Sequence, residues 1–578
     1  MTPANSNDYD VRNRKHEDSH DAPAYAEDQN LYPIDSSIAR GPRWLRSVRD
    51  RFQWGIGWEC FIAFLLVTAL EIFVGFDIWY FHPTDMTPYP SDAFSRTANA
   101  YFVLYYEPHR LASIGAVWNP LPSLLQLPIL LFARFWQPLA SYGLSGVILS
   151  SVFAGGTAAL LVHAFRSYAK LGRVPSILLV AAYSFNPYIF YYGYNGMSES
   201  LSFFFVILTI YLIMWWMKTG KPFYISASGW AMFFLFLTRY EAIPFSVGVW
   251  LVVFAYIWRS KRESIYVLGN RWEKLHYVEA TSFILVMPLL FGIAAWILYN
   301  AVIMGDPFYF LNSAYSNSTQ VQFVQQTATF AETVFDLFRK TAPFIVVYIF
   351  ILLLRLFSGR IFTVGTLCIS LLVVCIWGFH AFLLLRGGTY GWMRFFSYPL
   401  PISTIWLAYE IYVARRTVRK AAVWGGFAAL LITCAVAQAL HLTMEDSDDW
   451  QSVEDYQEIA FYLKENINPD KVLMDSFATS GILLQIQDFE GIIITCDPDF
   501  DSYLEDPIRM EVGYVLIPQA SGVVSLDAVV SAYPQLNGDE SVEGFNLVKE
   551  FDGITTYYLY KIDYDSGVNA KWRSETTD

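Results

Sequence analysis

An acid, a base and an amide fall on one side of a helical pattern near the start of this chain. In PYPSDAFSRTANAYFVLYYEPHR (Pro88–Arg110), apolar Phe94, Ala98, Tyr101, Phe102 and Tyr105 recur at helical spacing, while Asp92, Arg96 and Asn99 share the opposite face. Asp92 stands in the first turn, after Pro88, Pro90 and Ser91. The positive end of a helix favours an ionised carboxylate there, which suits a general base acting on a hydroxyl. The same spacing fits a capping acid with Arg96 as its i,i+4 partner. Farther along, Arg239 in LTRYEAIPF and Arg394 in YGWMRFFSYPLP carry guanidinium forks that match phosphate oxygens or anchor a helix at the interface. Glu107, Glu199, Glu241 and Tyr390 join Arg96 as candidate substrate contacts. His380, in WGFHAFLLL, reads as a packed or pore-facing histidine.

The elements that must position these residues are membrane helices. Hydrophobic residues make up 55% of the 578-residue chain and charged ones 16%, a polytopic composition. Segments long enough to cross a bilayer lie near 57–81, 142–165, 174–192, 199–217, 224–238, 242–258, 277–303, 341–357, 361–385, 395–414 and 421–442, about eleven in all. Lys and Arg collect in the tail and in alternate connections, as at Arg166, Lys170 and Arg173 or Arg415, Arg416, Arg419 and Lys420. That bias marks the cytoplasmic side, so the expected N-terminus is inside and the C-terminus outside. The ionisable residues of the spans then gather at the outer face. An intramembrane charge costs about 2.5–3.5 kcal/mol on insertion scales, so such residues face a cavity or a partner. The inner halves read as nearly uncharged.

Three regions follow. Residues 1–52 are expected as a disordered cytoplasmic tail, without the apolar run of a signal peptide. Residues 53–442 form the membrane domain, with an interfacial helix near 91–107 whose aromatic face would lie in the headgroup boundary. Residues 443–578 alternate helical and strand patterns, a small extracytoplasmic α/β domain. From Glu445 onward 28 acids face 7 bases, which argues against nucleic acid as a partner. This domain carries no P-loop, dinucleotide turn or nucleophile elbow, and TCDPDFD reads as a solvated loop or helix cap. Four of the five Cys residues lie in spans and Cys496 stands alone, so no disulfide framework is expected. No Cys/His spacing suits a metal, and no cofactor is implied.

Taken in order, PYPSDAFSRTANAY, VWNPLPSLLQLP, NGMSESL, LTRYEA and RFFSYPLP resemble segments of the GT-C superfamily of integral-membrane glycosyltransferases. The chain is similar to the dolichyl-phosphate-mannose-dependent mannosyltransferases over about 57–420. The resemblance implies a polyprenyl-phosphate-linked sugar as donor, an extracytoplasmic glycan, lipid or protein as acceptor, and residence in the cell membrane. It makes Asp92 the catalytic base and Arg394, then Arg239, the contacts to the lipid phosphate. The family often pairs its acids, whereas Asp92 is followed by Ala93, and metal-independent transfer with inversion is therefore expected. A transporter or lipid flippase is the alternative, and it would place its acids nearer the midplane. An oligosaccharide-transferring enzyme would use its acids to hold a metal.

Overall fold

The computed structural model describes residues 43–81, 91–259, 271–323, 329–441, 453–467, 470–539, 541–553 and 555–566. Of the expected tail, residues 1–42 lie outside this range. The chain opens with α1 (Arg43–Phe76), α2 (Ser91–Tyr105), α3 (Leu121–Leu130) and the single turn α4 (Pro138–Ser141). A bundle continues through α5 (Leu144–His163), α6 (Arg173–Ser184), α7 (Pro187–Tyr194), α8 (Glu199–Thr219), α9 (Pro222–Thr238), α10 (Ala242–Arg259) and α11 (Arg271–Met304). Two more turns, α12 (Tyr309–Asn312) and α13 (Asn317–Gln320), lead to α14 (Phe330–Phe357), α15 (Val364–Leu385), α16 (Pro399–Val413) and α17 (Arg416–His441).

Helices form at every expected apolar segment, but not all are full spans. Among the described residues eight are long and apolar enough to cross a membrane, or nine when α6 and α7 count as one span bent by 69°. The bend follows from Asn186-Pro187. Proline cannot continue α6, and the Asn186 side chain accepts from Tyr188 N at 3.1 Å to start α7. The expected segments 224–238 and 395–414 become helices of 17 and 15 residues. A 15-residue helix reaches only about 22 Å, short of the ~30 Å hydrocarbon core. Nearly every side chain of α16 is buried, so protein rather than lipid surrounds it and bilayer thickness does not set its length.

The C-terminal region folds as the expected α/β unit. It contains α18 (Val453–Asn466), α19 (Ser476–Leu483), α20 (Phe500–Glu505) and α21 (Ala528–Ala532). Its strands are β1 (Lys471–Leu473), β2 (Ile492–Ile493), β3 (Val512–Pro518), β4 (Ser541–Val542), β5 (Phe545–Phe551) and β6 (Tyr557–Ile562). They form one mixed sheet in the order β2-β1-β3-β6-β5-β4. The pairs β1/β2 and β1/β3 are parallel and the rest antiparallel.

This unit corrects the expectation for α2. Phe94, Tyr101 and Phe102 are buried in protein, not in headgroups. Phe489 packs its ring against Tyr101, Phe102 and Tyr106, with centroids 5.5–6.0 Å apart. The Tyr101 hydroxyl donates to Ile486 O at 3.2 Å, and the Tyr106 hydroxyl to Asp497 Oδ2 at 3.0 Å. Tyr105 turns instead toward α3 and donates to Leu130 O at 2.8 Å. The TCDPDFD segment thus serves docking: Arg110 donates to Cys496 O, and Asp497 accepts from the Tyr106 hydroxyl. An amphipathic helix needs some apolar cover, and a domain supplies it as well as lipid does. Phe489→Ala should therefore loosen the domain from α2, at a cost of about 3 kcal/mol. Limited proteolysis of the purified protein should show faster release of the C-terminal unit, with the membrane bundle intact.

Candidate active site

The candidate residues enter one charged centre from helix ends. Asp92 lies in the first turn of α2, Glu199 opens α8, Arg239 and Glu241 occupy the turn between α9 and α10, and Arg394 sits in a 3-10 turn (Met393–Phe396) before α16. The Arg394 Nη2 donates to Asp92 Oδ2 at 3.0 Å, and its Nε lies 3.7 Å from Glu199 Oε1. Arg239 donates to the same Glu199 oxygen, and its Nη2 reaches Glu241 Oε1 at 2.7 Å. Acids and arginines alternate along the chain Asp92–Arg394–Glu199–Arg239–Glu241. Each buried charge neutralises its neighbours, as a low-dielectric site requires. Burial pulls Arg394 down, but Asp92 and Glu199 outweigh it and hold the guanidinium firmly charged.

Arg96 completes the centre differently. It is 4% exposed, and its Nε and Nη1 have no hydrogen-bond acceptor. Burial depresses its pKa, and the attraction of Asp92 and Glu199 only partly offsets this. The Trp118 ring lies 5.4 Å from the guanidinium. Three arginines and three acids therefore share the site, with donor capacity left over on Arg96. Such a centre can take up an anion.

The aromatic residues hold Arg394 in place. Trp392 lies under its guanidinium at 3.8 Å, and Tyr390 stacks on Trp392 with centroids 4.5 Å apart. The Tyr390 hydroxyl donates to Gln320 Oε1 at 3.2 Å, and Gln320 Nε2 donates to Tyr315 O at 2.8 Å. The Tyr315 hydroxyl in turn donates to Asp475 Oδ2 in the C-terminal unit at 2.7 Å. A continuous set of contacts runs from that unit to Arg394. Asp475 also accepts from Phe477 N and Ala528 N, and buried Asp527 caps α21. Burial raises both carboxyls, and Asp475 drives Asp527 further up.

Other candidates stay outside. Glu107 is exposed, and so are His109 and Arg386. Tyr390 stacks on Trp392, which in turn lies under Arg394. His380 is buried between Phe395 and Tyr398, at centroid distances of 5.2 and 6.1 Å, and neither ring nitrogen has a hydrogen-bond partner. The sequence reading passed over three charges in the spans. Glu71 of α1 is buried, and Arg355 of α14 pairs with Glu410 of α16 at 2.6 Å. A lone charge inside an apolar run was the available signal for each. Trp392 and Gln320 were also missed, because neither stands out by type or spacing.

No family model and no curated protein matches the chain. Among solved structures it is similar to the archaeal oligosaccharyltransferase AglB from Archaeoglobus fulgidus, in complex with an inhibitory peptide and a dolichol-phosphate. The TM-score is 0.43 at 9% identity, over 78% of this chain and 69% of that one.

Two outcomes test the contacts behind Arg394. Gln320→Leu should raise the concentration of an anionic ligand needed at the centre by about tenfold, the effect of losing one buried hydrogen-bond bridge. Hydrogen exchange of the segment 388–396 should quicken in parallel. The raised carboxyls make a second prediction. A carboxyl whose folded pKa lies above its unfolded value contributes stability at low pH that is lost as pH rises through the folded value. Docking of the C-terminal unit should therefore weaken in thermal melts as pH rises above the ordinary carboxylate range, and Asp527→Asn should flatten that slope.

Proposed function

We propose that the protein is an integral-membrane glycosyltransferase of the GT-C kind. It moves a sugar, a hexose such as mannose, from a polyprenyl-phosphate donor to an acceptor hydroxyl on the extracytoplasmic side of the cell membrane. The observation that carries the reading is the part-buried Asp92–Arg394 pair, set beside Arg96 with its unused donors. A base and a set of phosphate-binding guanidiniums are what transfer from a phosphate ester needs.

In this reading Arg394 and Arg96 hold the donor phosphate, with Arg239 behind them. Glu199 and Glu241 keep Arg394 and Arg239 oriented. Arg394 engages Oδ2 of Asp92, and Oδ1 is assigned to the acceptor. The acceptor oxygen attacks the anomeric carbon as its proton passes to Asp92. The carbon–oxygen bond to phosphate breaks, its electron pair stays on the phosphate, and the arginines stabilise that charge. Attack opposite the leaving group inverts the anomeric centre. The donor set suits this better than it suits a divalent metal. Asp92, Glu199 and Glu241 each face an arginine, whose charge would repel such an ion.

Mass spectrometry of lipids co-purified with the protein should find a polyprenyl phosphate or its sugar ester. Asp92→Asn keeps the shape and helix-capping ability of the residue, since Asn and Asp rank together as caps. It cannot take a proton at neutral pH, so turnover should fall by a factor on the order of 100–10,000. Donor binding should persist and the protein should stay folded at a lowered melting temperature, since Glu199 still faces Arg394. Near-normal turnover in a folded Asp92→Asn protein would remove the base from the mechanism.

A further inference from the structure

Glu71 is a carboxyl with nothing to pair with. It lies within the first span, Gly55–Phe81, and is 1% exposed. Neither carboxyl oxygen has a hydrogen-bond partner. The packing is close: a Cβ on Gly193 of α7 would press on the carboxyl group. Beside it is a cavity of ≈ 10 Å³, about the room of one water or one small ion. Thr157, Tyr183 and Ser200 also line this cavity, from α5, α6 and α8.

The hydroxyl hydrogens left around the cavity are those of Tyr183 and Ser184, and neither brings a positive charge. The Ser200 hydroxyl donates to Ser150 O at 2.7 Å and the Thr157 hydroxyl to Phe153 O at 3.0 Å. Both therefore have only lone pairs left to offer the cavity. Tyr183 has one hydroxyl hydrogen, without an acceptor. A buried carboxyl must be neutralised, by a partner charge, by a bound cation or by holding a proton. Among the described residues no Lys, Arg or His lies within ion-pair reach, and the titratable groups facing Glu71 are Tyr183 and Tyr194. One carboxylate balances one positive charge, so a divalent ion would leave an excess.

We propose that Glu71, with the hydroxyl oxygens of Tyr183, Thr157 and Ser200, binds a small monovalent cation inside the bundle, either a sodium ion or a proton. The site is separate from the transfer reaction proposed above. It borders the charged centre through α8, where Glu199 belongs to one and Ser200 to the other.

The test is the melting temperature of the full-length protein in detergent. Sodium chloride is replaced by N-methyl-D-glucamine chloride at constant ionic strength, and the series is repeated at about pH 6 and about pH 8.5. A sodium site gives stability that rises with sodium. A proton site gives stability that falls as pH rises and ignores sodium. Glu71→Gln should abolish the sodium response, or, for a proton site, the part of the pH response that Asp527→Asn leaves in place. Tyr183→Phe keeps the carboxyl and should shift the half-saturation by about tenfold. A wild type indifferent to both variables overturns the proposal, and so does a Glu71→Gln protein that responds like the wild type. If Glu71→Gln does not fold, an unshifted response in Tyr183→Phe overturns it.

Discussion

Charge neutralisation in a place without water organises this protein. Arg394 cannot be buried beside the membrane unless carboxylates meet it, and Asp92 and Glu199 do. Those partners come from positions far apart in the chain, so meeting them fixes how α2, α8 and the segment before α16 assemble. Arg239 repeats the arrangement between Glu199 and Glu241. Removing one partner of a buried pair costs about 3–5 kcal/mol, because the other charge is left stranded. The centre therefore resists piecemeal change. It can, however, trade one negative partner for another, and an entering anion competes with Asp92 for the same guanidinium.

The membrane bundle alone does not hold this geometry. On one side α2 meets α3, where the Ser123 hydroxyl donates to Arg96 O at 2.9 Å. On the other side it meets Ile486 and Phe489, in the loop before β2, so the helix that carries Asp92 is clamped between two folded units. The Arg394 side is tied to the same C-terminal unit through Tyr390, Gln320 and Tyr315. Both members of the central ion pair thus depend on one docking surface. A molecule that shifts that unit shifts Asp92 and Arg394 relative to each other.

The charged centre was legible in the sequence because charges are costly in apolar surroundings. Asp92, Arg96, Glu199, Arg239, Glu241 and Arg394 each interrupt or flank an apolar run, and cost alone gathers such residues. Which acid pairs with which base was not legible, since helix-end positions leave tertiary contacts open. The apolar face of α2 was visible as a face, but periodicity is blind to what covers it. Lipid headgroups and Phe489 demand the same pattern. The eleven helical segments were readable from apolar runs. The short α16 was read as a span because length rules assume lipid outside, while its neighbours are protein. Glu71 shows the opposite failure. It was in plain view, but attention to the clustered charges left a solitary one unweighed.

A second buried cluster shows why incomplete satisfaction matters more than burial. At the other end of α14, Arg355 donates through Nε and Nη2 to Glu410 Oε1, at 2.8 and 2.6 Å. Its Nη1 reaches Thr363 and Thr366, at 2.7 and 3.1 Å, and Trp406 adds a donor to the same Glu410 oxygen. Every nitrogen of that guanidinium has an acceptor, and its work is finished when the chain folds. Arg96 is equally buried but keeps two nitrogens without acceptors. Folding had the means to satisfy an arginine here, as Arg355 demonstrates, so the unused donors of Arg96 are a cost that packing alone does not explain. An unsatisfied buried donor costs roughly 1–3 kcal/mol, more when it is charged. An anion bound between Arg96 and Arg394 would recover that energy, and the recovered energy would be binding affinity.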